Sequence, residues 1–572
     1  MKFWHNNDLL AVFFLLLLSV IALKALAIPG FYTNHDGETH VARIAQYYQA
    51  ISDGQIPPRW AKTLNGGLGS PIFVYIYPLP YLIGSIIHFL GFSFTDSFEI
   101  LIALTFVFSA IFTFLWLKEI FKSTQAAFIG ALFYAWVPYR FSLIYVRGSL
   151  SESLAYTFIP ALLWSLTKLS KNISLKGAAS TSLFTAAVLL SQNLVAYMVF
   201  PLIAFYVLII SISRKSLLYF LVAFLSALWG LLISAITYMS VIFERDLIHF
   251  DELFKKVYNT HFVTIGQLIH SPWDYGFSLP GLNDGLSFQI GLAHLLVVLL
   301  FLAIIFLLTV KKDLIHLSKH VDNLQVRLAL FFLISFFLSI FLILDNESVH
   351  TFWRIFKPIQ FIDIPWRLLG TVAISTSFIA AFTAKLVSNR FILFLLIIAV
   401  LIANRNHLRI NEQKILSDEF FLNYQGSATQ YNEFTPRTRY STGVTADFVS
   451  PIESVKGKIK IYDFIQRSNQ ISFKTQNEVP ARIQVNLIKF KGWQAFMDDK
   501  KFVSDPTHVD KSYDFAYRPK VDTSGLYDII VPSGQHQFVF KYKETLPRRI
   551  VNIISFVSLA LALIVFVKRR HA

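Results

Sequence analysis

The sequence contains no cysteine among its 572 residues. Disulfide bonds, thiolate metal ligands and a cysteine nucleophile are therefore excluded. Charged side chains are also scarce, at 15%, whereas soluble globular proteins have about 25%. Apolar residues make up 55% of the chain, and the mean hydropathy is +0.54. They recur in stretches close to the roughly 20 residues that a helix needs to cross a bilayer, which predicts a multi-pass α-helical membrane protein.

Basic residues outnumber acidic residues, and the formal net charge is +16. Most of the excess lies in short connectors between the apolar stretches. Such connectors are rich in lysine and arginine on the cytoplasmic side of a membrane protein. The charge therefore indicates membrane topology and not a phosphate-binding patch, so we expect no nucleic-acid partner. We expect a protein of the cytoplasmic (plasma) membrane, in contact with membrane lipid, with both chain ends in the cytoplasm.

About 12 membrane-spanning segments result when the basic connectors are kept on one side. The first segment keeps Lys24 and lacks a small-residue cleavage site, so we interpret it as a retained span. Residues 71–90 contain Pro78 and Pro80, and we expect them to lie along the outer face, because a crossing there would invert every later connector. The predicted spans are residues 9–28, 100–117, 126–137, 154–166, 177–190, 194–210, 217–240, 289–310, 328–344, 367–384, 391–403 and 550–567.

The chain divides into three parts. Residues 1–404 form the predicted transmembrane domain, with a long first outer loop at 30–97. Residues 405–549 are polar and show period-two alternation, which predicts an extracytoplasmic β-sandwich domain. Residues 550–572 form the last span and a basic tail.

The first outer loop begins with His35-Asp36-Gly37-Glu38-Thr39-His40. Two carboxylates and two imidazoles close together could activate a hydroxyl group, so Asp36, Glu38 and His40 are the candidate catalytic residues. Asp36 and Glu38 could also hold a divalent cation such as Mg²⁺ or Mn²⁺. The structural alternative is a solvated loop in which Asp36 or Thr39 caps a helix.

Further polar residues lie in the predicted outer segments or at the outer ends of spans. An arginine there can bind the phosphate of an anionic lipid head group, because the guanidinium fork matches phosphate oxygens. The alternative for each is simple anchoring at head-group depth. The candidate substrate-binding residues are Lys24, Arg59, Arg140, Arg147, Glu152, Gln360 and Arg367.

Several short motifs occur in a recognisable order. They are Asp-Gly-x-x-His, Arg-Trp, Gly-x-Gly-x-Pro, Pro-Leu-x-Tyr, Pro-Tyr-Arg, Arg-Gly and x-Pro-Trp-Arg, from Asp36 to Arg367. This order resembles a family of large prokaryotic membrane proteins labelled 6-pyruvoyl-tetrahydropterin synthase-related. Residues 1–404 also resemble the C-type glycosyltransferase (GT-C) fold of oligosaccharyltransferases and protein mannosyltransferases.

The resemblance implies a membrane glycosyltransferase. In the GT-C fold an essential acid follows the first span, and Asp36 is the matching position. The implied donor is a sugar on a polyprenyl phosphate or pyrophosphate, and the acceptor is an unidentified glycan, lipid or protein on the outer face. Displacement without a covalent intermediate would invert the anomeric configuration. The acidic motif is Asp-Gly-Glu instead of Asp-x-Asp, which leaves the need for a metal open.

Two other functions remain open from the sequence. A transporter or flippase for lipid-linked sugars would place charges inside its spans and often shows duplicated halves. A non-catalytic membrane protein could bind envelope polysaccharide through its β domain. The clustering of titratable groups at one surface favours the transferase.

Overall fold

The computed structural model describes residues 6–250, 257–279, 284–310, 321–387, 389–429, 432–438, 450–502 and 525–568. Most of these residues are helical, and the remainder includes a separate β-sheet region near the C-terminus. The helices are α1 Asn6–Leu23, α2 Gly37–Ser52, α3 Ile72–Tyr75, α4 Leu79–Phe89, α5 Phe94–Phe121, α6 Thr124–Ala135, α7 Pro138–Phe141, α8 Leu150–Lys171, α9 Leu175–Ser191, α10 Asn193–Arg214, α11 Leu217–Ile233, α12 Ala235–Glu244, α13 Ile265–Ile269, α14 Leu292–Val310, α15 Asn323–Ile343, α16 Glu347–Ile355, α17 Leu369–Leu386, α18 Arg390–Ala403, α19 Asp418–Leu422 and α20 Leu546–Val567.

In the described ranges, 8 helices are long and apolar enough to cross a membrane. Two helix pairs bent by 48° and 71° bring the number to 10 if each pair is one span. The predicted spans 154–166 and 177–190 fall on α8 and α9, which lie outside that group. Every predicted span thus falls mainly on helical residues, although residues 217–240 are divided between α11 and α12. The chain is a helical membrane protein with a β-sheet region. The total number of spans and their orientation stay predictions.

The first outer loop is folded and packs onto the helices. Residues 71–90 form α3 and α4, and Tyr81 in α4 is fully buried. A two-residue strand, β1 Phe31–Tyr32, pairs antiparallel with β2 Gln413–Lys414. Residues 413–414 were predicted to belong to the β-sandwich domain, but their backbone pairs with the start of the first outer loop.

The helices approach closely where small residues face a neighbouring side chain. In α17, Gly370 lies against α8, and a Cβ atom at this position would lie 1.7 Å from the Tyr156 hydroxyl. Tyr156 is itself buried. Its ring therefore has no solvent-filled space into which it can move, and the two helices depend on glycine at this contact.

We predict that Gly370→Ala lowers the free energy of unfolding by about 1–3 kcal/mol, because the added methyl group overpacks the contact. Unfolding of the purified protein in detergent would measure the change. Gly266→Ala is the control, since its nearest neighbour would be Thr264 Oγ1 at 3.7 Å. Equal stability of the two variants would contradict the close α8–α17 contact.

The strands of the described β-sheet region are β3 Ile452–Lys456, β4 Lys460–Arg467, β5 Gln470–Asn477, β6 Ala481–Ile488, β7 Trp493–Met497, β8 Lys500–Lys501, β9 Leu526–Val531 and β10 Gly534–Tyr542. They form two antiparallel sheets with strand orders β4-β5-β10-β7-β8 and β3-β6-β9. The predicted alternation is confirmed: Ile483 and Val485 of β6 and Phe538 and Phe540 of β10 are buried in one hydrophobic core shared by the two sheets.

Two ion pairs hold the last helix against the rest of the molecule. The Arg548 guanidinium lies 2.7 Å from the Glu244 carboxylate at the end of α12, and both side chains are buried. The Arg59 guanidinium donates from Nε to Glu544 and from Nη2 to Asn552, each at 2.7 Å. The first outer loop, α12 and the start of α20 therefore form one continuous structure.

Candidate functional site

One cavity of about 2000 Å³ joins two chemically different regions. We call the first region the polar chamber. It is lined by His35, Asp36, Thr39, His40, Arg43, Tyr77, Arg147, Ser149, Gln360, Asp363, Arg367, Tyr424, Ser427, Thr429 and Glu433. We call the second region the apolar arm. It is lined by Leu162, Leu166, Leu189, Ile203, Val207, Phe220, Phe224, Leu228 and Leu231.

Asp36 lies in the polar chamber directly before α2. Its backbone N–H donates to the Arg147 carbonyl at 2.8 Å, and its side chain is 40% exposed. The side chain makes no capping hydrogen bond to α2. Asn34 Oδ1 instead accepts from the Gly37 N–H at 2.5 Å. The structural alternative for Asp36, a helix cap, is therefore wrong, and its carboxylate is available to a ligand.

A buried carboxylate, Glu152, organises two arginines beside Asp36. Arg147 Nη1 lies 2.7 Å and Arg367 Nη1 lies 3.1 Å from Glu152 Oε2. The Tyr139 hydroxyl donates to the other oxygen. Burial alone raises the pKa of Glu152, but the two guanidiniums hold it below its ordinary value. Glu152 thus stays ionised and fixes both arginines at the chamber wall.

Further contacts orient the same two guanidiniums. Arg147 Nη2 lies 3.7 Å from Asp36 Oδ2, and the Trp366 ring lies 5.1 Å from the Arg147 guanidinium carbon. Arg367 Nε lies 3.3 Å from Oδ1 of Asp363, four residues earlier in the chain. Each guanidinium carries five N–H donors, so both arginines keep donors beyond those used by the carboxylates.

His40 lies one turn into α2 and is buried. Its Nδ1 is 3.2 Å from the Tyr81 hydroxyl, and the two rings stack at 5.9 Å. Burial lowers the pKa of His40 well below its ordinary value, and the Arg43 and Arg147 charges lower it further. The imidazole is therefore neutral at physiological pH and can serve as a hydrogen-bond partner in the chamber.

Residues 424–429 and 432–434, which follow α19, contribute one side of the chamber. Arg43 Nη2 donates to the Ala428 carbonyl at 2.7 Å. The Thr429 hydroxyl donates to Glu433 Oε2 at 2.5 Å. Neither Arg43 nor Glu433 was predicted as a site residue. Arg43 follows His40 by three positions, which places both on one face of α2, but Glu433 has no such signal in the sequence.

The structure brings together five of the predicted site residues, Asp36, His40, Arg147, Gln360 and Arg367, which all line the cavity. Glu152 lies directly behind the two arginines. Glu38 interacts with Tyr424: burial and this carboxylate raise the pKa of the Tyr424 hydroxyl to about 12.

Three predicted substrate-binding residues lie elsewhere. Lys24 is exposed at the end of α1. Arg59 is buried in the ion pair with Glu544. Arg140 is buried between helices, where its guanidinium donates to the Thr105 carbonyl and the Ser109 hydroxyl, each at 3.3 Å. None of these three residues lines the cavity, so the structure gives no support to their predicted role in substrate binding.

The candidate metal ligands do not converge. Within the described ranges, no group of three or more His, Asp or Glu side chains is placed to hold a metal ion. Asp36 lines the chamber, whereas Glu38 does not and has Tyr424 as its neighbour. A cation held by Asp36 and Glu38 together stays a prediction.

The apolar arm lies among α8, α9, α10 and α11. Along α11 it extends from Phe220, in the first turn, to Leu231, near the end. At a rise of about 1.5 Å per residue, this corresponds to roughly 16 Å. An apolar passage of this length, continuous with a chamber that contains three arginines, has the shape and polarity for a ligand with an apolar chain and a polar head.

No family model matches the chain. An "uncharacterized protein" of Lactococcus lactis subsp. cremoris (strain MG1363) is similar, with 24% identity over 207 residues. The aligned region covers 36% of this chain and 34% of the relative, so the chain spans about a third of the length of the curated relative it matches. The fold defines a helical membrane protein with a β-sheet region, and its cavity has room for a large ligand.

Proposed function

We propose that the protein is a membrane glycosyltransferase, which moves a sugar from a polyprenyl-phosphate or pyrophosphate donor to an acceptor on the outer face of the membrane. The observation that carries the proposal is the cavity itself. The chamber is lined by the Asp36 carboxylate and the guanidiniums of Arg147 and Arg367, among other polar groups, and it continues into an apolar arm among the helices. A lipid-linked sugar has the matching division between an apolar chain, an anionic phosphate and a polar sugar.

The donor phosphate is assigned to Arg147 and Arg367. Both line the cavity, and Glu152 holds both in place. Guanidinium groups bind phosphate oxygens through paired N–H donors. They would stabilise the negative charge that develops on the phosphate as it leaves. The lipid chain would occupy the apolar arm.

Asp36 is assigned the role of general base. Its carboxylate takes the proton of the acceptor hydroxyl as that oxygen attacks the anomeric carbon. The bond from the anomeric carbon to the phosphate oxygen breaks, and its electron pair leaves with the lipid phosphate. A single displacement of this kind inverts the anomeric configuration. The neutral His40 and Thr39, which also line the chamber, are placed to contact the sugar or the acceptor.

A lipid-sugar transporter is the second candidate, because the arm extends along most of α11. The decisive assay uses the full protein in nanodiscs with a panel of polyprenyl-phosphate sugars, and mass spectrometry follows the donor. We expect loss of one donor and release of its lipid phosphate. If all donors stay intact in nanodiscs, while proteoliposomes move them between leaflets, transport replaces transfer.

The apolar arm gives a separate prediction. Ala227 in α11 lines the cavity, so Ala227→Trp should fill part of the arm and raise the KM for the lipid donor about tenfold, with kcat nearly unchanged. Leu225→Trp is the matched control, because Leu225 lies on the same helix, is exposed and does not line the cavity. An equal KM in both variants would show that the lipid chain lies elsewhere.

A further inference from the structure

Residues 424–429 and 432–434 present a dense set of polar side chains to the chamber. Tyr424, Ser427, Thr429, Glu433 and Phe434 all line the cavity, and we call these five residues the connector wall. Three of them carry hydroxyl groups, which both donate and accept hydrogen bonds. The carboxylate of Glu433 accepts only, when ionised. Arg43, which lines the cavity next to them and donates only, completes the set.

The backbone of this segment is fixed by the first outer loop. The Ala428 carbonyl accepts from Arg43 Nε at 3.2 Å and from Nη2 at 2.7 Å. The Ala428 N–H donates to Asn65 Oδ1 at 3.0 Å. The Thr63 hydroxyl donates to the Tyr424 carbonyl at 2.7 Å. These bonds fix the backbone at Tyr424 and Ala428, and the Thr429 hydroxyl, which donates to Glu433 at 2.5 Å, links Glu433 to the same part of the wall.

An aromatic surface lies beside the polar groups. The Phe434 ring stacks on Tyr75, with centroids 5.8 Å apart and planes inclined by 10°, and on Phe250, with centroids 5.9 Å apart and planes inclined by 28°. All three rings line the cavity. Tyr77 adds a fourth ring to the lining. The π face of an aromatic ring is negative and attracts the weakly positive C–H groups of an apolar ligand face.

We infer that the connector wall binds a glycan, which on the proposed function is the acceptor. A sugar ring has hydroxyl groups around its edge and C–H groups on its faces, and the wall offers partners for both. Glu433 would accept from sugar hydroxyls and Arg43 would donate to them, while the C–H groups of the sugar pack against the aromatic side chains that line the cavity. A sugar ring carries several hydroxyl groups, whereas the chain of a lipid acceptor carries none, so the polar wall favours a glycan over a lipid.

The test uses the full protein in nanodiscs and an array of short neutral and acidic oligosaccharides, followed by calorimetric titration of the best binder. We expect Glu433→Gln to weaken binding about tenfold, as expected for loss of a charge-assisted hydrogen bond. Phe434→Leu should weaken binding similarly through loss of the ring. Glu478→Gln, an exposed carboxylate between β5 and β6, is the matched control and should bind as the wild type does.

The outcomes separate this inference from the proposed function. If wild type binds no oligosaccharide, or if both variants bind as tightly as wild type, the glycan assignment is wrong, even when a donor is consumed. If donors stay intact while the variants lose glycan affinity, the wall binds a glycan and the transferase proposal fails. Asp36→Asn should keep glycan affinity. Thermal unfolding midpoints identify any variant that is misfolded. Glu433→Gln removes a charge and Phe434→Leu removes an aromatic ring, so either variant, if it folds normally, is sufficient to test the connector wall.

Discussion

Asp36→Asn is expected to lower the rate of sugar transfer by about 10²–10⁴-fold, the usual contribution of a general base. The substitution keeps the size of the side chain but removes its ability to take a proton. Because Asp36 makes no capping bond to α2 and is 40% exposed, stability should change little. Mass spectrometry of the donor lipid measures the rate, and a thermal unfolding midpoint measures stability.

Two comparisons make this result specific. Asp274→Asn alters an exposed carboxylate outside the cavity lining and should leave the rate unchanged. Glu38→Gln should lower the rate of sugar transfer much less than Asp36→Asn does, since Glu38 interacts with Tyr424 and does not line the cavity. Wild-type activity of the Asp36→Asn variant would show that Asp36 is not the general base. A larger loss of activity in Glu38→Gln than in Asp36→Asn would indicate that Glu38 is the base.

Glu152→Gln is expected to lower the free energy of unfolding by about 3–5 kcal/mol, the usual effect of breaking a buried ion pair from one side. Glu152 is fully buried, and its Oε2 atom lies within 3.1 Å of both Arg147 and Arg367. Without the negative charge, two buried guanidiniums repel each other. The measurement is unfolding of the purified protein in detergent, by heat or denaturant.

The matched control is an ion pair at the surface. Glu347 and Arg354 lie within one short helix, α16, and both side chains are exposed. Glu347→Gln should change the free energy of unfolding by less than about 1 kcal/mol, because solvent screens such pairs. If Glu152→Gln were as stable as Glu347→Gln, the ion pairs of Glu152 would have to be solvated. Glu152 would then not hold Arg147 and Arg367 in place.

The helices were predictable because a long apolar stretch has few stable alternatives in a membrane. Alternation in β6 and β10 was equally informative, since one face of each strand lies in the shared core. Bends were not predictable: the predicted span 217–240 is divided by a 71° bend between α11 and α12. Local hydropathy indicates that a segment is buried in lipid or protein, but not the path it takes.

The site was predictable only in part. Asp36, Arg147 and Arg367 were recognised because charged residues beside apolar stretches are unusual. Their grouping around Glu152 depends on the packing of distant helices, which no local pattern encodes. Glu433 was missed for a related reason. It lies in a polar segment with no periodicity, and the hydrogen bonds that fix this segment to Arg43 join residues 385 positions apart.

The pairing of β1 with β2 has a consequence for the synthesis of the protein. Thr33 donates to the Glu412 carbonyl, a residue 379 positions later, and Arg59 bonds to Asn552 in the final helix. At roughly 5–20 residues per second, the ribosome needs on the order of tens of seconds to deliver these partners. The loop that carries Asp36 cannot complete these contacts before then. A ribosome that stalls before α19 would leave a nascent chain with the Asp36 carboxylate but without Tyr424, Thr429 and Glu433, so the full lining of the chamber would be absent.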